Sequence, residues 1–258
     1  MDLGITGKKA IVCASSRGLG KACAEDLAKE GVEIIINGTK EENVLKTESE
    51  FKDKGYIVSS VIGSMEESST RDALLKACPN PDILINNSGG PPPGDFFSWS
   101  EDDFLGAIKS NFSQSALLMQ KVIPGMKERN FGRIINITSA MVKNPHLIMG
   151  LSTSARSALH GLSKALSREI SQYNITLNNL LPERIDTDRQ TRILNFQAEI
   201  GKITFEDAKT NMENELAAKR MGTVKEFSGI CAFLCSQQAA YISGQSISVD
   251  GGNFGGLL

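Results

Sequence analysis

The chain of 258 residues has no CxxC pair, no block of lysine and arginine, no acidic tail and no long apolar run. The five cysteines, at positions 13, 23, 78, 231 and 235, stand in apolar helix or strand text. That placement suits buried reduced thiols, so neither a disulfide nor a metal site is expected. With a formal net charge of −2 and 22% charged residues, the chain offers no basic track for a phosphate backbone, and no nucleic-acid partner is expected. No segment reaches the roughly 18 apolar residues of a spanning helix. The opening MDLGITGKKAIVCAS lacks an apolar stretch of signal-peptide length. The expectation is a soluble, cytoplasmic protein with no membrane contact.

What the sequence does contain is an alternation. The β-branched runs KKAIVCA, VEIIING, YIVSSVI, DILINNS, RIINITS, ITLNNLL and QSISVDG are separated by stretches of helical text such as GKACAEDLAKEG and ARSALHGLSKALSREISQY. Parallel neighbours need helical crossovers, so seven strands spaced this way predict an α/β fold with a doubly wound parallel sheet of Rossmann type. One domain over residues 1–258 is the default at this length. The main shift in composition is SGGPPPGD at 88–95, a stiff loop after the fourth strand. Ligands of open α/β sheets bind at that carboxyl edge.

The first strand runs into ASSRGLGKACAEDLAKEG, where Gly18 and Gly20 stand at a strand-to-helix turn able to admit a pyrophosphate against backbone N–H groups. Further ordered motifs follow: NNSG at 86–89, Asn111 in KSNFSQS, Ser139 closing INITS, NNLLPERIDTD and YISGQSISVDGG. Over nearly its whole length the chain resembles the short-chain dehydrogenase/reductase family, particularly its 3-oxoacyl-carrier-protein reductases. The family's Thr-Gly-x-x-x-Gly-x-Gly corresponds to Cys13 through Gly20, with Ala14 in place of the first glycine. Its active-site Asn matches Asn111 and its catalytic Ser matches Ser139. Thirteen residues beyond Ser139, the family's Tyr position holds Ser152, and the Lys position holds Arg156.

The resemblance implies that a dinucleotide is held by Ser15, Ser16, Arg17, Gly18, Leu19 and Gly20, by Asn87, Ser88 and Gly89, by Arg156, and by Pro182, Ile185 and Thr187. The end of the second strand reads Gly38, Thr39, Lys40, with no carboxylate to accept a ribose 2′-hydroxyl. Lys40, Thr39 and Arg17 therefore favour NADP over NAD, the two cations facing the 2′-phosphate. After the third strand, the family's adenine-contacting Asp aligns with Gly63, leaving Ser64 as the substitute.

In the family, the Tyr gives a proton to the substrate carbonyl while the Lys lowers the phenol's pKa. A phenol starting near ~10 needs a shift of about three units, whereas an aliphatic hydroxyl, with acidity near that of water, needs roughly five more. Serine's oxygen also stops roughly 4 Å short of a tyrosine's, a gap that water would have to span. Tyr56, Tyr173 and Tyr241, the three tyrosines present, fall away from this edge of the fold. In the loop before Ser152, Lys143 and His146 are the remaining acids, and His146 has the pKa range of a proton donor. His160, one turn beyond Arg156, is expected in a subunit contact.

Residues 189–219 have a helical pattern, which in the family forms a substrate lid. A helical pair serving only oligomer contacts is the alternative. Three functions are open: an NADP-dependent oxidoreductase on a carbonyl or alcohol substrate, using Asn111, Ser139, Ser152, Arg156 and a water or His146; a catalytically weak NADP-binding sensor or assembly protein; or a lyase or isomerase in the same pocket. By resemblance, a homodimer or homotetramer is expected.

Overall fold

The computed structural model describes residues 2–257. Its first half comprises β1 (Lys9–Val12), α1 (Gly18–Lys29), β2 (Glu33–Gly38), α2 (Glu41–Asp53), β3 (Val58–Ile62), α3 (Ser68–Ala77), β4 (Ile83–Asn86), α4 (Glu101–Ile108) and α5 (Gln114–Glu128). The second half adds β5 (Gly132–Ile137), α6 (Gly150–Ile170), β6 (Ile175–Pro182), α7 (Asp188–Gly201), α8 (Phe205–Glu215), α9 (Val224–Cys235) and β7 (Ser246–Val249). The seven strands form one sheet in the order β3-β2-β1-β4-β5-β6-β7, and every pairing is parallel. This is the doubly wound architecture that the alternation of runs predicts.

Helices cover both faces of the sheet, so the central strands are apolar without alternation and every residue of β4 and β5 is buried. Two large apolar clusters result, beside a small third one of Ala107, Leu151 and Ala155. Leu27, Ile36, Phe51, Ile85 and Phe227 belong to one, and Ile11, Leu84, Leu118, Ile134 and Leu177 to the other. All five cysteines are buried free thiols. Within the described residues, no helix is long and apolar enough to cross a membrane.

Chain order reverses between β1 and β4, which opens a crevice at the carboxyl edge of the sheet. The loops after β1 and β4 meet there, because Asn87 Nδ2 donates to the Ala14 carbonyl at 3.2 Å. The stretch that reads as one long helix from Glu101 is broken by a π-turn at Lys109–Ser113, which lies between α4 and α5 and buries Asn111. Insertions of this kind re-aim a side chain without ending the helix.

Candidate functional site

The loop after β1 is held open by its own chemistry. Ala14 adopts a left-handed φ of 45°, the conformation that glycine takes without a Cβ penalty. A Cβ on Gly20 would collide with the Ala14 carbonyl oxygen, so only glycine lets α1 start this close to the strand. The N-terminus of α1 has no side-chain cap and no acidic residue in its first turn. α3 and α6 share that lack, whereas α4, α8 and α9 each begin with a complete capping box. The first N–H groups of α1 and its dipole are thus left for an anion, and the loop fits a dinucleotide pyrophosphate.

The side chains of this loop divide into two sets. Ser15 does not face a ligand, contrary to the expectation from sequence: its Oγ donates to the Val12 carbonyl at 2.6 Å and accepts from Asn37 N at 3.0 Å, while its own N–H donates to the Asn37 carbonyl at 2.7 Å. Leu19 packs against the core. Ser16 lies against Gly38, where an added Cβ would sit 2.7 Å from Ser16 Oγ, and its carbonyl accepts from Thr47 Oγ1 at 2.9 Å. This brings the loop onto the end of β2, where Arg17, Thr39 and Lys40 are exposed. Neither Arg17 nor Lys40 forms an ion pair among the described residues. Two free cations beside the end of β2 suit a 2′-phosphate.

Asn37, which the motifs do not mark, ties this corner together. Its Oδ1 accepts from Ala14 N at 3.3 Å, and its Nδ2 donates to the carbonyls of Val61 at 3.0 Å and Gly63 at 3.1 Å. A polar residue at the end of the apolar run EIIIN was the available signal. Gly63 has φ 149°, and a Cβ there would collide with Thr70 Oγ1, which gives a local reason for the absence of an aspartate. Ser64 Oγ accepts from Glu66 N at 3.3 Å, so that contact serves the local turn.

The second half of the site lies over β4, β5 and α6. Ser88 Oγ donates to Asn111 Oδ1 at 3.5 Å, and Asn111 Nδ2 donates to Ser110 Oγ at 2.7 Å. Ser139 begins a short 3-10 turn, with its Oγ accepting from Met141 N at 3.2 Å. On α6, the Arg156 guanidinium donates to Ser152 Oγ, and both side chains are buried. Gly90 roofs them: a Cβ there would stand 3.0 Å from Arg156 Nη1 and 3.4 Å from Ser152 Oγ. Burial, with the charge of Arg189 as a second cause, lowers the pKa of Arg156 to about 10. It is still a cation at neutral pH.

The two histidines depart from their expected places. His146 is exposed in the loop before α6, and its ring makes no hydrogen bond to Ser139, Ser152 or Arg156. His160 turns inward: Nε2 lies 2.9 Å from Thr138 Oγ1 and Nδ1 lies 3.0 Å from Ser246 Oγ, so it forms an intrachain bridge. Burial first, then the charges of Lys143 and Arg156, lowers its pKa to about 4. A further polar row runs across the sheet. Asn86 Nδ2 donates to Asn136 Oδ1 at 2.8 Å, Asn136 Nδ2 donates to Asn179 Oδ1 at 3.1 Å, and Asn179 Nδ2 donates to Ser246 Oγ at 3.3 Å. Asn136 also donates to Ser163 Oγ at 2.9 Å, which locks α6 onto the sheet. The asparagines of INNS, INIT and LNNL were the sequence signal.

Beyond β6, Pro182 and Ile185 lead to Thr187, whose Oγ1 caps α7 through Gln190 N at 3.4 Å. Helices α7 and α8 pack together through Leu194, Ala198, Ala208 and Met212, with Gln190 Nε2 3.4 Å from Met212 Sδ. Arg189 lies in the first turn of α7.

The chain belongs to the short-chain dehydrogenase/reductase family. The family profile described as enoyl-(acyl carrier protein) reductase matches residues 13–253. The NADPH-dependent reductase BacG of Bacillus subtilis (strain 168) is 30% identical over 252 residues, covering 95% of this chain and 97% of that protein. The 3-oxoacyl-acyl-carrier-protein reductase FabG of Vibrio cholerae is 29% identical over 256 residues, covering 98% and 99% of the two chains. Among solved structures, L-sorbose reductase from Gluconobacter frateurii, complexed with NADPH and L-sorbose, superposes with a TM-score of 0.95 at 27% identity and 100% coverage of both chains.

Proposed function

We propose that this protein is an NADP-dependent oxidoreductase acting on a small carbonyl or alcohol substrate, with Ser152 and Arg156 standing where the family carries its Tyr and Lys. The observation that carries the reading is the uncapped N-terminus of α1 beside the unpaired cations Arg17 and Lys40. NADPH dependence in the similar BacG and the NADPH complex of the similar sorbose reductase support the same cofactor here. When bound, the nicotinamide supplies the hydride.

The chain's own residues then have separable tasks. The α1 N-terminus, Ser16, Gly18 and the Asn87–Gly89 turn hold the pyrophosphate side, and Arg17, Thr39 and Lys40 select the 2′-phosphate. Asn111 and Ser139 supply polar atoms at the carboxyl edge, and Pro182, Ile185 and Thr187 border the nicotinamide end. Arg156 occupies the acceptor side of Ser152, which leaves the serine hydrogen to donate. That hydrogen bond orients a water spanning the gap to the carbonyl, and the water carries the proton, since exposed His146 is not hydrogen-bonded to the cluster. The α7–α8 pair serves as the lid. Exposed Phe104, Leu105 and Leu117 on α4 and α5 support association of copies into a dimer or tetramer.

A second reading, an NADP(H)-binding protein with little catalysis, is favoured by one observation: Ser152 is only 2% exposed and already bonded to Arg156. NADPH consumption across ketones, aldehydes and oxo acids separates the two. Turnover with any of them supports the oxidoreductase. Tight NADPH binding with no turnover across the set supports the binding protein.

A further inference from the structure

After β6 the chain departs from the family's Pro-Gly pattern, with Glu183 following Pro182. The C-terminal segment gives that carboxylate a partner. Asn253 Nδ2 donates to Glu183 Oε1 at 2.9 Å, and Asn253 Oδ1 accepts from Ala217 N at 3.4 Å. Glu183 stands just before the α7–α8 pair and Ala217 just after it, so one amide joins both ends of the lid. The backbone runs the same way. Glu183 N donates to the Val249 carbonyl at 3.2 Å, and a Cβ added to Gly251 would lie 2.8 Å from the Ala218 methyl carbon. Asp250 fixes the turn that carries Asn253, accepting from Gly252 N at 3.0 Å and from Phe254 N at 3.1 Å. The two ends of the lid also meet directly, since Asp186 N donates to the Gly222 carbonyl at 2.8 Å, and this neck is where the pair can pivot.

The joints of the lid are strained. Among the described residues six non-glycines have a left-handed φ, and three of them belong to the lid: Arg184 at 50° before α7, Lys202 at 50° between α7 and α8, and Lys219 at 54° after α8. Left-handed backbone is disfavoured for long side chains, and such strain persists only where surrounding contacts hold it. We propose that Asn253 and Glu183 form a latch, two positioning residues that hold the α7–α8 pair at the nicotinamide end of the site and whose separation releases it. This inference rests on the lid assignment within the oxidoreductase reading above and deepens it by naming what holds the lid. The Asn253 amide has one working orientation, because Oδ1 faces an N–H and Nδ2 faces a carboxylate. A charge-assisted hydrogen bond on one side and three strained joints on the other leave the lid poised between two positions.

The test is amide hydrogen exchange along the full chain, with NADPH dissociation followed by stopped-flow fluorescence on the same proteins. Asn253→Asp keeps the shape of the side chain but sets one carboxylate against another. It should speed exchange in α7 and α8 roughly tenfold, leave the central strands unchanged, and let NADPH leave several-fold faster. Adding Glu183→Gln exchanges donor and acceptor, so the double variant Asn253→Asp with Glu183→Gln should return both readings to the parental values. Unchanged exchange in α7 and α8 for Asn253→Asp, or no rescue in the double variant, overturns the inference. Faster exchange with unchanged NADPH dissociation also overturns it, because the contact would then have no bearing on the site. If NADPH does not bind the parent protein, the cofactor reading falls, and the exchange pattern with its rescue decides the latch by itself.

Discussion

Arg156 donates from its guanidinium to the hydroxyl oxygen of Ser152, one turn back on the same face of α6, beneath the backbone of Gly90. The pair is a closed contact that fills the space a larger side chain would need. A phenol at position 152 would have to displace either the guanidinium or the 89–95 loop.

The double substitution Ser152→Tyr with Arg156→Lys tests that packing together with the chemistry. Ser152→Tyr alone should lose about 1–3 kcal/mol of stability by overpacking. An ammonium is more compact than a guanidinium, so Arg156→Lys relieves part of the clash and the double variant should melt above the Ser152→Tyr single one. Carbonyl reduction should rise by more than the product of the two single effects, since phenol and ammonium act as a unit. Melting curves and NADPH oxidation rates for the four proteins check both points, and multiplicative rates would mean that the two positions do not cooperate.

Ala14 stores strain that a glycine would release. At φ 45° its Cβ faces the following carbonyl. Ala14→Gly should raise stability by about 0.5–1 kcal/mol, the strain relieved being offset in part by greater freedom in the unfolded chain. Chemical denaturation reads the change. A loss of stability would mean that the Ala14 methyl makes packing contacts worth more than the strain.

His160 gives the fold a pH dependence of known sign. Its folded pKa, about 4, lies below the unfolded value of ~6.5. The unfolded chain therefore binds a proton first as pH falls, and stability is lost from about pH 6.5 down to about pH 4. The loss approaches about 3 kcal/mol at the bottom of that window. His160→Gln, which can still bond Thr138 or Ser246, should flatten the slope of unfolding free energy against pH in that range. An unchanged slope would assign the acid sensitivity to carboxylates.

The sheet, its direction and the crevice were legible because β-branched runs and helical text alternate in a pattern with few parallel solutions. The helix–helix pair after Thr187 was legible for a similar reason, as an amphipathic stretch between two anchored strands. Side-chain direction was not legible. Ser15 belongs to a motif whose backbone meets a ligand, but the turn after β1 points its hydroxyl back to the Val12 carbonyl and the Asn37 N–H. His160 lies on the same helix as Arg156, and only the pairing of β6 with β7 brings Ser246 to its ring.

The most direct measurement is a fluorescence titration of the full chain with NADPH and with NADH at one ionic strength. Hydrogen bonds from Arg17 and Lys40 to the 2′-phosphate are worth about 1.5–3 kcal/mol, so NADPH should bind roughly 10- to 100-fold more tightly. Arg17→Glu or Lys40→Glu should remove most of that margin. Equal affinities for the two nucleotides, or no binding of either, would contradict an NADP-dependent oxidoreductase.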